Sequence, residues 1–216
     1  SQEVCGIPID TVPPCPPVLT VSNDCDLDNP ATVDFINNLS WSNPNEICQY
    51  TNDVFEYRVY YAENENAQFS AIQTITGATD TTYNHDLVFT LAGCYYVTAI
   101  DTIGNESLPS NVVCKENCPD YSLPNVFTPN NDGANDQFLP FPYRFVDRIE
   151  MQIFNRWGGL VFETTNPDIN WDGTNISGQD VAEGAYFYQC KVYELVNDPN
   201  AEPVILEGYI QLIRGN

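Results

Sequence analysis

The stretch RIEMQIFNRWGGLVFETT, residues 148–165, has the pattern of a β-hairpin. Apolar side chains recur at every second position from Ile149 to Ile153, and mostly polar residues stand between them. Gly158 and Gly159 then mark a turn, after which GLVFETT resumes an extended pattern. A period of two residues is typical of a strand with one buried face. The stretch therefore predicts two antiparallel strands that cover a core.

Similar patterns recur through the rest of the 216 residues, with turn residues about every 8 to 12 positions. Helical periodicity is almost absent. Short alternating strands separated by turns are typical of β-sandwiches, and about seven of them in roughly a hundred residues indicate an immunoglobulin-like fold. We therefore predict an all-β protein with two tandem immunoglobulin-like sandwich domains.

Two proline-rich stretches punctuate the chain, DTVPPCPP at 10–17 and CPDYSLPNVFTP at 118–129. Proline-rich segments are stiff and extended, so each is expected to open a domain. We predict a linker at 1–14, a first domain at 15–118 and a second at 119–216. The opening SQEVCGIPIDTVPPCPP looks like a linker and not like a signal peptide, so we expect a piece of a longer exported protein.

Seven strands are predicted in the first domain: 18–23, 32–41, 56–64, 69–76, 81–91, 94–101 and 110–114. One parity of these strands carries the expected core residues Trp41, Tyr57, Tyr95, Val97 and Ala99. The tryptophan, the Tyr-x-Val-x-Ala motif and the trailing GNESLPSN together resemble a fibronectin type III domain. The resemblance covers most of the first domain.

The charge of the chain is strongly negative, with 30 acidic and 7 basic residues and a net charge of −23. Nucleic acid and anionic membrane surfaces would be repelled, so neither is an expected partner. No apolar run is long enough to span a bilayer, so the protein is not expected to be membrane-inserted. The acidity is spread over both domains, which favours a solvated surface over a local binding patch.

Eight cysteines without a C-x-x-C pair indicate disulfides in an oxidising compartment. A hairpin turn centred near Gly104 places Cys94 opposite Cys114, within bridging range after modest adjustment. The sequence alone does not determine the other pairings. The expected companions are Cys25–Cys48, Cys5–Cys15 and Cys118–Cys190.

Five motifs follow one another through residues 119–216: LPNVFTPNNDGANDQF, IFNRWGGLVFETT, INWDGT, EGAYFYQCKVYE and GYIQLIRGN. In this order they resemble the gliding motility-associated C-terminal domain, the type B sorting domain of the type IX secretion system. One departure is Asn131, where the family commonly has glycine. Asparagine tolerates a left-handed backbone and can replace glycine there.

The resemblance implies an address and not an enzyme. Such domains direct large cell-surface adhesins of Bacteroidota through the outer-membrane translocon, with a partner protein of the PorP/SprF type. The first domain would then be a structural spacer in a protein displayed at the cell surface or released. The alternative is an adhesin or carbohydrate-binding accessory module without a role in transport.

The stretch NVFTPNNDGANDQF, residues 125–138, is the candidate recognition surface. An asparagine- and aspartate-rich turn hydrogen-bonds its own backbone, and Val126, Phe127 and Phe138 are expected to anchor its ends in the core. The predicted recognition residues are Asn130, Asn131, Asp132, Gly133, Asn135 and Asp136. A calcium site at Asn130, Asp132 and Asp136 is an alternative, although the two end positions of an EF-hand loop would be Thr128 and Leu139. Apart from possible calcium, no cofactor is expected.

Two further features have structural interpretations. DINWDG at 168–173 matches half of a calcium loop, but we expect Trp171 to pack in the core and Asp172 to cap a turn. His85, the single histidine, is expected on a strand surface. No motif for a catalytic nucleophile, a phosphate loop or a zinc protease occurs, so no catalytic residue is predicted.

Overall fold

The computed structural model describes residues 10–27, 33–198 and 200–215. The chain divides into two compact units, the first ending at Glu116 and the second beginning at Asn117. The division lies two residues before the boundary expected from the proline-rich stretch. Of the predicted linker, residues 10–14 are described, and they belong to no strand or helix.

The first unit is built from two antiparallel sheets, with strand orders β1-β2-β5 and β4-β3-β6-β7. Its helical segments are a 3-10 turn at Asp24–Asp26 and the short helix α1 at Pro44–Ile47. The strands are β1 (Leu19–Ser22), β2 (Ile36–Trp41), β3 (Val54–Ala62), β4 (Ser70–Thr76), β5 (Thr82–Asp86), β6 (Gly93–Asp101) and β7 (Val113–Lys115).

Alternate residues of the two sheets meet in one core. Leu19, Leu39 and Trp41 of the first sheet belong to the same buried cluster as residues of β3 and β6. The five residues predicted for this core are all buried. Because inward-facing residues of both sheets share the cluster, the first unit is a β-sandwich, as predicted.

The pairing of β6 with β7 places Cys94 directly opposite Cys114, in the register expected from a turn near Gly104. The two sulfur atoms are bonded at 2.03 Å. Gly104 itself has φ +96°, a left-handed conformation that favours glycine at the turn.

A second disulfide joins Cys15 to Cys48. The predicted pairs Cys25–Cys48 and Cys5–Cys15 are therefore wrong, and Cys5 itself lies outside the described residues. The physical reason is local, since the backbone N–H of Cys15 donates to Thr51 Oγ1 at 3.1 Å. This bond holds the proline-rich segment against the turn that follows Cys48.

His85 is half-buried and not on the surface as expected. Its Nδ1 lies 3.0 Å from the Tyr95 hydroxyl, and the rings of Tyr61 and Tyr83 lie beside it. Burial lowers the pKa of His85, and the nearby Asp86 partly opposes that effect. The histidine is thus a packed member of an aromatic group.

The second unit contains a five-stranded sheet, β12-β11-β13-β14-β9, and a two-stranded sheet, β10-β8. The predicted hairpin is present as β11 and β12. The strands are β8 (Asp120–Tyr121), β9 (Val126–Phe127), β10 (Tyr143–Arg144), β11 (Val146–Phe154), β12 (Leu160–Thr164), β13 (Gly184–Glu194) and β14 (Val204–Leu212).

The core of the second unit is rich in aromatic residues. Ile149, Met151 and Ile153, the apolar positions of the opening stretch, are all buried in it. Trp171 is fully buried, and its ring centroid lies 5.1 Å from that of Phe127. Loops outside the large sheet therefore supply part of the core.

Cys190 of β13 is a buried free thiol, so the predicted Cys118–Cys190 pair is wrong. Its side chain faces inward among apolar residues, and this burial raises the pKa of the thiol to about 12. A thiol that stays protonated is a poor nucleophile. Cys25 and Cys118 are each disulfide-bonded.

Strand register brings several loops to one end of the five-stranded sheet. Leu212, the last residue of β14, lies opposite both Phe127 of β9 and Gly184 of β13. Phe154 at the end of β11 lies opposite Leu160 and the early part of β13. We call this end the turn end. It carries the turn after β9, the β11–β12 turn, the segment before β13 and the tail after β14.

Candidate recognition site

The Asn-rich turn, residues 128–136, closes around the carboxylate of Asp136. One oxygen, Oδ1, accepts the backbone N–H of Asn130 at 3.1 Å and that of Asn131 at 2.6 Å. The other oxygen, Oδ2, accepts the N–H of Gly133 at 2.9 Å. A single side chain thus satisfies three backbone donors of the turn.

Asn130 and Asp132 form a second set of bonds in the same turn. The N–H of Asp132 donates to Asn130 Oδ1 at 3.1 Å, and Asn130 Nδ2 donates to Asp132 Oδ2 at 2.8 Å. Asp132 Oδ1 also accepts the N–H of Ala134 at 2.8 Å. The Asn130 side chain, followed by the Ala134 backbone, lowers the pKa of Asp132.

Three residues of the turn have left-handed backbones, namely Asn131 (φ 60°), Gly133 (φ 88°) and Asn135 (φ 54°). Glycine adopts this conformation without a steric cost, and asparagine tolerates it better than most residues. The N–H of Thr128 donates to the carbonyl of Asn135 at 2.9 Å and closes the turn.

The two ends of the turn are anchored by Phe127 and Phe138, which are almost completely buried. The expectation that Val126 is a third anchor is wrong, because Val126 is 44% exposed. Consecutive residues of a strand face opposite sides, so Val126 points outward when Phe127 points inward. Residues 130–135 are exposed and Asp136 is half-buried.

Two of the predicted recognition residues offer free side chains. Within the described residues, the side-chain amides of Asn131 and Asn135 make no hydrogen bond. Each amide has two donors and one acceptor available. The hydrogen bonds of the other turn residues hold these two amides in position.

The acceptor atoms proposed as calcium ligands face backbone donors. Both oxygens of Asp136 accept backbone N–H groups, and the two oxygens of Asp132 accept the Ala134 N–H and the Asn130 side-chain amide, so a cation would share these oxygens with existing hydrogen bonds. The arrangement does not resemble a ready cage of free oxygens. Among the described residues, carboxylates close enough to share an ion occur in the first unit, at Asp10, Asp53 and Asp101.

The DINWDG segment is structural, as expected. Trp171 is buried and its Nε1 donates to the carbonyl of Thr174 at 2.8 Å. Asp172 Oδ1 accepts both the N–H and the hydroxyl of Thr174. Gly173 has φ +81°, and a Cβ there would lie about 3 Å from Leu212, Arg214 and Pro129.

Arg214, in the tail after β14, joins the Asn-rich turn to the segment before β13. Its guanidinium donates to the carbonyls of Pro129 at 3.3 Å, Gly173 at 2.9 Å and Val181 at 3.3 Å. It also pairs with Asp180 at 3.0 Å. Sequence reasoning missed this residue. The sequence feature that could have indicated its role is a single arginine just after the last strand of a very acidic chain.

Residues 121–212 match the family model described as the CHU_C Type IX secretion signal domain. The resemblance drawn from the five motifs is thus confirmed for the second unit. The matched stretch runs from the second residue of β8 to the last residue of β14 and includes the whole Asn-rich turn. A type IX secretion signal domain implies export and an interaction with the type IX machinery. It is preceded in this chain by the β-sandwich of the first unit.

A search of curated proteins finds no match to this chain. Within the described part of the chain, no helix has the length and apolar character needed to cross a membrane.

Solved structures that match the chain have low identity and low structural similarity. A pectate lyase, Pel3 from Pectobacterium carotovorum, is 18% identical with a TM-score of 0.34, over 52% of this chain and 33% of that one. The FN1–FN3 domains of chicken CNTN1 are 15% identical with a TM-score of 0.37, over 94% and 68%. A tetra-tandem repeat from the extending region of a large adhesion protein is 14% identical with a TM-score of 0.35, over 92% and 50%. This chain therefore spans about a third of the lyase chain and half of the adhesion-protein chain.

Proposed function

We propose that the second unit addresses a cell-surface adhesin to the type IX outer-membrane translocon, where a PorP/SprF-type protein binds it. The observation that carries the proposal is the match of residues 121–212 to the secretion signal family. The exported protein would remain at the cell surface or be released outside the cell. The first unit would act as a spacer stapled by disulfides such as Cys94–Cys114.

We further propose that the Asn-rich turn is one surface that the translocon reads. Its backbone is held by hydrogen bonds to Asp132 and Asp136, so little conformational entropy is lost when a partner docks. The free amides of Asn131 and Asn135 would then provide the specific hydrogen bonds. The alternative is that the turn has only a structural role and binds no partner.

The address is tested with a periplasm-directed reporter fused to the chain in a host with a working type IX system. The fused reporter is expected at the cell surface or in the medium. A matched fusion that stops at Glu116 lacks the second unit and is expected to stay in the periplasm. Equal export of both fusions would contradict the proposal.

Recognition of the turn by the translocon is tested with a double variant, Asn131→Gly combined with Asn135→Gly. Glycine keeps the left-handed backbone accessible at both positions while it removes both amides. The variant is expected to keep its thermal midpoint and to lose most of the exported reporter. Normal export of a folded variant would show that this stretch is only a turn.

A second candidate function is a carbohydrate-binding module in the first unit. It is favoured by an aromatic group on the four-stranded sheet, where the Tyr60 and Tyr96 rings stack at 4.4 Å and Phe69 lies 4.9 Å from Tyr96. Such rings can stack on sugars. A glycan array probed with the chain and with Tyr96→Ala distinguishes the two functions, because the secretion role needs no glycan signal.

A further inference from the structure

The turn between β11 and β12 presents an arginine and a tryptophan on a rigid tip. Asn155 Oδ1 accepts the N–H groups of Trp157 and Gly159, each at 2.9 Å, and the Asn155 carbonyl accepts that of Gly158. Gly158 has φ +78°, which the tight turn requires. The Arg156 guanidinium lies over the Trp157 ring at 4.9 Å. We call Arg156 and Trp157 the hairpin tip.

Trp157 differs from the other two tryptophans of the chain. Its side chain is 81% exposed, whereas Trp41 and Trp171 are buried. An exposed tryptophan keeps a large apolar surface in water. Tryptophan and arginine are also the residues most enriched among the energetic centres of protein interfaces.

Among the described residues, no carboxylate pairs with Arg156. Six of the seven basic residues have a carboxylate oxygen within 4.0 Å. Within the described residues, Arg156 is the exception, in a chain where acidic residues outnumber basic ones by 30 to 7. A positive charge left unpaired beside an exposed indole is complementary to a carboxylate near an apolar surface.

We propose that the hairpin tip docks into an apolar pocket with carboxylates at its rim, on the outer-membrane protein that reads this domain. The inference rests on the proposed function, because that function supplies the partner. The indole fills the pocket. The guanidinium stays stacked on the indole by its face and donates its edge N–H groups to a rim carboxylate.

The position of the hairpin tip allows one partner to contact it together with the Asn-rich turn. Both lie at the turn end of the sheet, the tip beside β12 at one edge and the turn after β9 at the other. Strands are spaced about 4.8 Å apart, so four spacings separate the two edges by about 19 Å. A standard interface of about 800 Å² on each partner covers that span.

Export of the reporter fused to the whole chain is measured for Trp157→Ala and Arg156→Glu. Each variant is expected to reduce export at least about tenfold, the effect of losing an energetic centre of an interface. The matched control is Arg148→Glu, at the far end of β11, the strand that leads into the tip. Arg148 also stacks on an aromatic ring, that of Tyr193. This control is expected to be exported like the parent.

Thermal midpoints separate docking from folding. The midpoint should not change in either tip variant, since Trp157 is mostly exposed and Arg156 has no ion pair in the described structure. Arg156→Gln gives a graded comparison. It should reduce export less than Arg156→Glu, because glutamate adds repulsion from the rim carboxylates and glutamine only removes the attraction.

A photo-crosslinking aromatic residue in place of Trp157 identifies the partner directly. The expected adduct is an outer-membrane component of the export machinery, also captured from position 135, and absent when Arg156→Glu is added. An adduct with a second copy of the chain, or none at 157 while 135 still crosslinks, overturns the inference.

The outcomes for the inference and for the proposed function are distinct. If the parent chain is exported and both folded tip variants are exported equally well, the inference is overturned and the proposed function stands. If the parent chain is exported no better than the fusion ending at Glu116, both are overturned. A strong loss of export in the tip variants, together with normal export of the Arg148→Glu control, supports both the inference and the proposed function.

Discussion

Asp136 is the residue whose side chain accepts the most backbone N–H groups of the Asn-rich turn. Its carboxylate accepts three backbone N–H groups, and two of these come from consecutive residues. Asp136→Ala removes all three acceptors, so we expect the free energy of unfolding of the second unit to fall by about 1–2 kcal/mol. Urea unfolding followed by tryptophan fluorescence measures the change.

The comparison for this prediction is Gln137→Ala, the next residue along the chain and an exposed one. It should leave stability unchanged within about 0.5 kcal/mol, as surface substitutions usually do. If Asp136→Ala and Gln137→Ala behave alike, the hydrogen bonds to Asp136 do not stabilise the turn.

We expect His85 to make the first unit less stable in mild acid. Asn37 Nδ2 donates to the Tyr95 hydroxyl, and in the His85 tautomer with an unprotonated Nδ1 that hydroxyl donates to Nδ1 at 3.0 Å. A protonated His85 has no ring nitrogen left to accept this bond. The pKa of His85 is lowered from an unfolded value of about 6.5, so stability is lost as pH falls below about 6.5 through the folded pKa. His85→Gln cannot titrate.

The measurement is the free energy of unfolding of the parent and of His85→Gln between about pH 7.5 and about pH 5.5. The parent should lose more stability over this interval than the variant. Parallel curves would mean that protonation of His85 is not coupled to folding.

The burial of single residues could be predicted where the alternation of a strand determines it. Contacts made by loops could not be predicted. Phe127 and Phe138 were correctly placed in the core, but Val126 was not, because two consecutive strand residues cannot share a face. The role of Arg214 depends on three carbonyls, one in the Asn-rich turn and two in the segment before β13, all far from Arg214 in sequence. No local sequence pattern predicts contacts between residues so far apart in the chain.

At the scale of elements, one guanidinium connects the Asn-rich turn with the segment before β13. Arg214→Ala removes the donors to Pro129, Gly173 and Val181, and we expect the second unit to lose about 1–3 kcal/mol of unfolding free energy. Arg214→Lys should recover little, because an ammonium cannot span three acceptors. Differential scanning calorimetry records both changes.

Lys191→Met is the reference for Arg214. Lys191 also pairs with a carboxylate, Glu150, but its ion pair is exposed on the outer face of the sheet and should contribute little. If Arg214→Ala lowers the free energy of unfolding no more than Lys191→Met does, the three contacts of Arg214 do not stabilise the second unit cooperatively.

The β6–β7 hairpin is stapled by Cys94–Cys114, two cysteines with a sequence separation of 20. Removing this bridge with Cys94→Ala and Cys114→Ala should cost about 2–4 kcal/mol, chiefly because the unfolded chain gains freedom. Urea unfolding tests the cost. Peptide mapping without reduction tests the bridge, and a peptide joining Cys94 to any other cysteine would contradict it.

The strands could be located where a local pattern determines them, whereas some strand ends and disulfide pairings depend on contacts between distant residues. Alternation located β11 and β12 because each has one buried face. The strand predicted at 81–91 ends at Asp86, and Val88 and Phe89 beyond it are exposed, so an apolar composition overestimated its length. Three disulfide pairings failed because cysteine partners depend on how loops approach in space.

For the whole molecule, the all-β fold and the order of the motifs could be inferred from the sequence. Period-two alternation indicates sheets regardless of topology, and five ordered motifs identified the secretion signal domain. The clustering of loops at the turn end could not be inferred, because it follows from the strand order β12-β11-β13-β14-β9. That clustering is what places the candidate contacts on one surface.

The net charge of −23 has a consequence for the whole chain that also tests the calcium alternative. Like charges repel in the folded state, and raising ionic strength from about 0.01 M to about 0.15 M shortens the screening length from about 30 Å to about 8 Å. Sodium chloride should therefore raise the thermal midpoint. Calcium and magnesium at equal ionic strength should raise the midpoint of the second unit equally, because among the described residues the turn has no group of three closely spaced carboxylates. An additional rise with calcium, absent in Asp132→Asn and reversed by a chelator, would instead support the calcium site predicted at Asn130, Asp132 and Asp136.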